Sequence, residues 1–319
     1  MYVGLDIGGT KCAAILADEK GEIVGRTELA TDGEVPAEAF VFELIGKQKK
    51  LIKQHKVDPK SIAGIGISCG GPLDRKAGVI LRPPNLPKWE AVPIKKIVEE
   101  NFPGIPVFVE NDANATALAE WKFGAGRGVN TMAFVTMGTG VGAGLILDGK
   151  LYHGTNDMAG EVGHQTILID GPKCGCGKRG CLEALVSGPA IGRMAQERLE
   201  FGRGKRMVEL AGGKATNVTA KHVVEAAREG DALAITIIND VGTYLGMGLA
   251  NLIMIINPER IVLGTIAVHA GDLLLNPTGV ALREFAWPRS LEVCEVVPAE
   301  LGDRAQDLAA IVLPMIGDE

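Results

Sequence analysis

The 319 residues exceed one ordinary domain of roughly 100–200 residues, and a composition 46% hydrophobic and 23% charged excludes a disordered or low-complexity chain. Against 39 acidic residues stand 33 basic ones, a net charge of −6 with no basic block, which argues against a nucleic-acid partner. A strand pattern begins at Val3 and leaves no room for a leader peptide. The most apolar stretch, 249–256, falls short of the roughly 20 residues of a membrane helix, so a cytoplasmic protein off the membrane is expected.

In chain order, the short apolar runs at 3–7, 12–17 and 62–68 read as strands, as does 107–110 after Pro106. Residues 36–55 carry Phe40, Phe42, Leu44, Ile45, Leu51 and Ile52 as a helical stripe with a lysine-rich outer face. The pattern then gives a helix over 113–124, a buried strand over 131–136, helices over 189–201, 220–228 and 231–256, and a strand over 260–263. Such alternation predicts an α/β fold with partly parallel sheets.

One internal repeat bears on the architecture. Shifted by 130 residues, Gly8 falls on Gly138, Ala13 on Ala143, Asp18 on Asp148, and Ile15-Leu16 on Leu145-Ile146. Both copies read as strand, Gly-rich turn, strand. Either two glycine-rich hairpins are alike by chance, or the chain is a duplication whose two turns present backbone N–H groups to a nucleotide's phosphates.

Asp6-Ile7-Gly8-Gly9-Thr10-Lys11 places an acid before a Gly-Gly-Thr turn, which is either a tight hairpin or a phosphate and Mg²⁺ site. No Gly-x-x-x-x-Gly-Lys-[Ser/Thr] occurs. Gly138-Thr139-Gly140-Val141-Gly142-Ala143 matches the dinucleotide fingerprint in letters only, since a strand and not a helix follows it. In Glu110-Asn111-Asp112-Ala113-Asn114, Asn111 or Asp112 is either a helix cap or, in the case of the carboxylate, a proton acceptor at a strand end. His164, Cys174, Cys176 and Cys181, set among glycines, match a four-coordinate structural Zn²⁺ site, with a redox thiol cluster as the alternative. Glu161 and Glu183 bracket that cluster.

These motifs, with Gly160-Glu161-Val162-Gly163-His164 and Cys174-Gly175-Cys176-Gly177-Lys178-Arg179-Gly180-Cys181-Leu182-Glu183, resemble the ROK family in content and order over most of the chain. The resemblance implies a two-lobed actin/hexokinase-like (ribonuclease H-like) fold, with one lobe at 1–117 joined by 303–319. The other lobe, 118–302, would hold the zinc loop 164–183. It implies ATP-dependent, Mg²⁺-assisted phosphorylation of a hexose, glucose first, in a homodimer or homotetramer. The segment Pro84-Asn85-Leu86-Pro87-Lys88-Trp89 resembles the sugar-contacting loop of the family's glucokinases. By the same resemblance Asp112 is the general base, and Asn85, Asn111, Glu161, His164 and Glu183 bind sugar hydroxyls beside the Gly71 backbone. Asp6 serves the Mg²⁺–phosphate end, with Gly8, Gly9, Thr10, Lys11, Gly138, Thr139 and Gly140 at the phosphates. His164, Cys174, Cys176 and Cys181 hold zinc.

The chain departs from the family's pattern twice. Gly264-Thr265-Ile266-Ala267 stands where many members have a run of glycines, which bears on the adenosine pocket. Ala305 lacks the usual following Gly, which bears on packing of the last helix. Sugar-responsive repressors of the family carry a DNA-binding segment before the Asp-x-Gly-Gly-Thr turn, which here begins at residue 6.

Overall fold

The computed structural model describes residues 1–31, 35–83, 86, 88–199 and 203–317. It divides the chain into two compact units. The first comprises Met1–Gly128, Lys150–Ala159 and Glu300–Glu319, and the second Val129–Gly149 and Gly160–Ala299.

In the first unit, five strands run in the spatial order Ile23–Ala30, Lys11–Ala17, Tyr2–Ile7, Gly64–Cys69, Val107–Asn111. The first three form antiparallel pairs, with Tyr2 opposite Ala17 and Ile7 opposite Cys12, and the last two join in parallel. Only the edge strand Ile23–Ala30 alternates between half-buried and exposed residues. The central strands are continuous apolar runs because both sheet faces are covered. Val3, Leu5, Ile7, Cys12, Ala14 and Leu16 meet the Phe40, Val41, Leu44 and Ile45 face of helix Ala37–Gln54. Ala13, Ile15 and Ala17 meet Ala310 and Ile311 of helix Ala305–Ile316. That second helix comes so close that a Cβ on Gly66 would collide with the Ala310 carbonyl.

The second unit has a five-stranded sheet ordered Lys150–Leu151, Val141–Leu147, Met132–Met137, Arg260–Leu263, Glu295–Pro298. Numbered by appearance in the chain, both sheets read third, second, first, fourth, fifth. In both, an antiparallel hairpin is extended by two parallel strands. The repeat seen at a spacing of 130 residues is therefore a repeat of topology.

Residues 249–256 are not a separate short stretch but the end of a longer apolar helix. Helix Ala232–Ile256 has 25 residues and a mean hydropathy of 1.3 over its most apolar window, enough in length and composition to cross a bilayer. More than half of that window is buried inside the protein. Leu245, Leu249 and Ile253 lie in the core of the second unit, and Gly246 admits Ala281 of helix Asp272–Phe285. The apolarity of this helix is that of a core element, and residues 249–256 alone understate its length.

Candidate active site

Asp6, next to the last residue of the first strand, lies in a row of the sheet that also holds Ser68 and Glu110, its register neighbours on the parallel strands. All three are buried. Burial, followed by the negative charges of Asp112 and Asp307, pushes the Asp6 carboxyl up to about 7 against the opposing pull of Lys11 and Arg26. The next residues form the turn, where the Gly8 N–H donates to the Lys11 carbonyl at 3.1 Å and the Thr31 hydroxyl donates to the Gly8 carbonyl at 2.8 Å. Lys11 Nζ is 2.9 Å from Glu28, so its ammonium is already paired beside the turn.

Asn111 resolves the cap alternatives. Its side chain accepts the N–H groups of Ala113 at 3.0 Å and Asn114 at 3.4 Å, making it the N-cap of helix Asp112–Phe123. Asp112, the first helical residue, accepts the Ala113 N–H at 2.8 Å and remains accessible to solvent. The protein packed around it still raises its carboxyl above the ordinary carboxylate range by desolvation, and the Ala113 N–H works against that rise. The neighbouring strand ends at Cys69, and its continuation brings Gly70 and Gly71 beside these side chains. A Cβ on Gly71 would lie 3.2 Å from Asn111 Nδ2, and one on Gly70 would lie 3.7 Å from Asp112 Oδ2. Gly71, Asn111 and Asp112 are therefore brought together. Asn85, with Pro84 and Pro87, lies outside the described residues; Leu86 and Trp89 of the same loop are buried, and Trp89 packs edge-on against Phe40 at 5.8 Å.

Sequence reasoning missed the support behind Asn111 and Asp112. Glu110 accepts the Asn111 N–H at 2.9 Å and the Asn114 amide at 3.0 Å, and pairs with His153 Nε2 at 2.7 Å. Arg26 Nε donates to Asp307 at 2.6 Å across 281 residues. Glu110 opens the motif already singled out, and Asp307 is the one acid within an apolar helix; nothing in the sequence marks His153.

In the second unit, the Gly138 N–H donates to the Gly140 carbonyl at 2.9 Å, closing the turn Gly138, Thr139, Gly140. Glu183 Oε2 accepts the Val141 N–H at 3.0 Å, and its Oε1 lies 3.5 Å from Cys174 Sγ. One of the two carboxylates flanking the cluster thus braces this turn. The other, Glu161, is exposed with Oε2 3.8 Å from His164 Nε2.

The ligand atoms of His164, Cys174, Cys176 and Cys181 all lie within 4.8 Å of one another. Cys176 and Cys181 sulfurs are 3.7 Å apart, and Cys174 Sγ is 3.8 Å from His164 Nδ1. A tetrahedral Zn²⁺ with bonds of about 2.3 Å to sulfur sets its thiolates about 3.8 Å apart, so donor set and spacing both fit zinc. The loop is shaped by the Cys174 N–H to Lys178 carbonyl bond of 2.8 Å and by bridges between Thr166 and Cys181 and between Lys173 and Arg179. Gly180, at φ 68°, passes where a side chain would strike the Leu168 carbonyl. The two ring nitrogens of His164 face different groups, Nδ1 the thiols and Nε2 Glu161.

Comparison with known proteins gives the same picture over the whole chain. The chain is 36% identical to a glucokinase of Halalkalibacterium halodurans, over 95% of its own length and 92% of that protein's. It is 32% identical to a xylose repressor of Caldicellulosiruptor bescii, over 98% of its own length and 77% of the repressor's. Its structure matches that of a ROK family glucokinase from Streptomyces griseus in complex with glucose and AMPPNP, with a TM-score of 0.81, 34% identity and 99% of each chain covered. The model of the ROK family matches residues 2–314, and on these grounds the chain belongs to the ROK family.

Proposed function

We propose that the protein is an ATP-dependent hexose kinase with glucose as its preferred sugar. The observation that carries this reading is Asp112, an accessible carboxylate at the end of a parallel strand, held beside Asn111 and Gly71 and raised in pKa by its surroundings. Its relatives that are named glucokinases supply the substrate class.

In this reading Asp112 takes the proton of the attacking sugar hydroxyl as that oxygen bonds to the γ-phosphorus and the bond to ADP breaks. Asn111, Glu161, His164 and Glu183 orient the sugar through its hydroxyls, with Asn85 and the Gly71 backbone. Gly8, Gly9, Thr10 and Lys11, with Gly138, Thr139 and Gly140, line the phosphate path. Asp6 suits Mg²⁺, which is bound through one or two carboxylates together with substrate phosphates and neutralises phosphate charge. His164, Cys174, Cys176 and Cys181 hold a structural Zn²⁺, and the thiol-rich loop suits a reducing cytoplasm. A homodimer or homotetramer acting on small molecules, with no nucleic-acid partner, completes the proposal.

The test is a coupled ADP assay with glucose, fructose, N-acetylglucosamine and N-acetylmannosamine. Glucose should give the highest kcat/KM, and Asp112→Asn should lower kcat by roughly 10²–10⁴-fold with a much smaller change in sugar KM. Near-normal kcat in that variant would leave Asp112 with a structural role only. The likeness to xylose repressors favours a second reading, a sugar-responsive regulator. Sugar binding with no ADP formed from any of the four sugars would select it.

A further inference from the structure

The carboxylate of Glu110 stands directly behind the residues assigned to proton transfer, and its two oxygens hold different groups. Oε1 accepts the Asn111 N–H at 2.9 Å and the Asn114 side-chain amide at 3.0 Å. These two donors lie on either side of the point where strand Val107–Asn111 turns into helix Asp112–Phe123. Oε2 is held from elsewhere in the chain, by His153 Nε2 at 2.7 Å. A carboxylate only accepts, so the hydrogen of that contact sits on Nε2.

His153 belongs to residues 150–159, which join the first unit although the residues on both sides of them lie in the second. The Ala159 N–H donates to the His153 carbonyl at 3.0 Å and closes the segment into a loop, with Gly154 at φ 75° and Asp157 at φ 60°. Arg75 Nε lies 3.7 Å from Asp157 and 3.9 Å from Glu110 Oε2, so a guanidinium also spans this loop and the strand. Glu110 is buried, and the side chains of His153 and Arg75 are each only 20% exposed. A buried carboxylate oxygen is costly without a donor, and Arg75 Nε at 3.9 Å is too far to replace the His153 bond. Loss of that bond frees Oε2 to turn, and Oε1 on the same carboxylate moves with it.

Resting on the kinase reading, we propose that His153 is a positioning residue for phosphoryl transfer: through Glu110 it fixes the strand-to-helix corner that carries Asn111 and Asp112. The carboxylate that takes the sugar's proton is thereby held at its working distance by a residue that touches neither sugar nor nucleotide. Misplacing a reacting group by about 1 Å costs on the order of 10²-fold in rate, so a loosened corner reads out in kcat.

Steady-state kinetics at a temperature well below melting separate positioning from bulk stability. His153→Leu keeps the apolar bulk without a donor; it should lower kcat roughly 10–100-fold and leave the KM values for glucose and ATP within about threefold. His153→Gln keeps an N–H at the end of the side chain and should restore kcat to within about threefold of wild type. In a Glu110→Gln background the link is already altered, so adding His153→Leu should lower kcat by less than about threefold more. Should His153→Leu not fold, His153→Asn, whose amide is one bond too short to reach, reads the same split. A lower melting temperature with kcat unchanged would make His153 a structural residue and overturn the proposal. Equal loss of kcat in the Leu and Gln variants, or a tenfold rise in glucose KM with kcat kept, would overturn it as well. In each of these cases the kinase reading stands; if wild type forms ADP with no sugar, both fall.

Discussion

Asp6 keeps a carboxylate where burial and two acidic neighbours oppose its charge. Between about pH 4 and pH 7 the folded protein holds a proton at Asp6 that the unfolded chain has released, so stability declines as pH rises through that window and the loss is complete above it. Asp6→Asn cannot ionise. It should melt about 2 °C or more above wild type at pH 8, match it near pH 4, and lose phosphotransfer if Asp6 serves Mg²⁺. A melting difference independent of pH would show that Asp6 ionises normally. Glu183 poses the other question at this scale, since it braces the Val141 N–H and is also assigned to the sugar. Glu183→Gln retains an acceptor for Val141 but loses the charge. Sugar KM should rise about tenfold with ATP KM and zinc content unchanged; a fall in melting temperature with sugar KM unmoved would leave it a brace only. Residues grouped closely in the sequence were legible as groups: Asn111 and Asp112 sit in one short motif, and His164, Cys174, Cys176 and Cys181, whose ligand-type atoms the fold brings within 4.8 Å of one another, stand out by residue type. Glu110–His153 and Arg26–Asp307 were not, because each pair is made by folding across 43 or 281 residues.

Among the elements, the loop carrying Cys174, Cys176 and Cys181 rests on a small buried cluster of Cys174, Cys181 and Ala184. Its order should depend on metal, because binding energy at a four-ligand site is also folding energy. Elemental analysis should give about one zinc per chain, and Cys176→Ala should lose it and lower the melting temperature. A metal-free preparation that is fully active after chelation would refute the site. Helix Asp112–Phe123 is secured at its far end by Glu120, fully buried, whose carboxylate accepts the N–H groups of Ala125 at 2.9 Å, Leu301 at 3.0 Å and Glu300 at 3.3 Å. Glu120→Ala leaves these donors without their acceptor and should cost about 3 kcal/mol or more in a urea titration. Helices were read within a residue at 36–55 against Ala37–Gln54, 220–228 against Ala220–Arg228 and 231–256 against Ala232–Ile256, whereas the helix expected over 189–201 ends at Arg198, with 200 and 201 outside the described residues. Helix Asp272–Phe285 escaped because Pro277 interrupts its interior, where proline ordinarily breaks a helix. Strand Ile23–Ala30 escaped because half its residues are exposed at a sheet edge.

For the whole molecule, the repeat was legible because the two hairpins keep one glycine, Gly8 and Gly138, and one turn acid, Asp18 and Asp148, at one spacing, whereas the added parallel strands of each sheet share no such marks. Which segments complete which unit was hidden for a different reason: residues 150–159 carry no composition that distinguishes them from their flanks, yet they belong with the first unit. The close seat of helix Ala305–Ile316 against Gly66 also sets an order of events during synthesis. The second unit draws on nothing beyond Ala299, so all its parts have left the ribosome while the first unit still lacks one covering helix. Until residues 305–316 emerge, Ala13, Ile15 and Ala17 face water on an unfinished sheet. The half begun first is the half finished last, and released chains truncated after residue 299 should be the ones that chaperones hold.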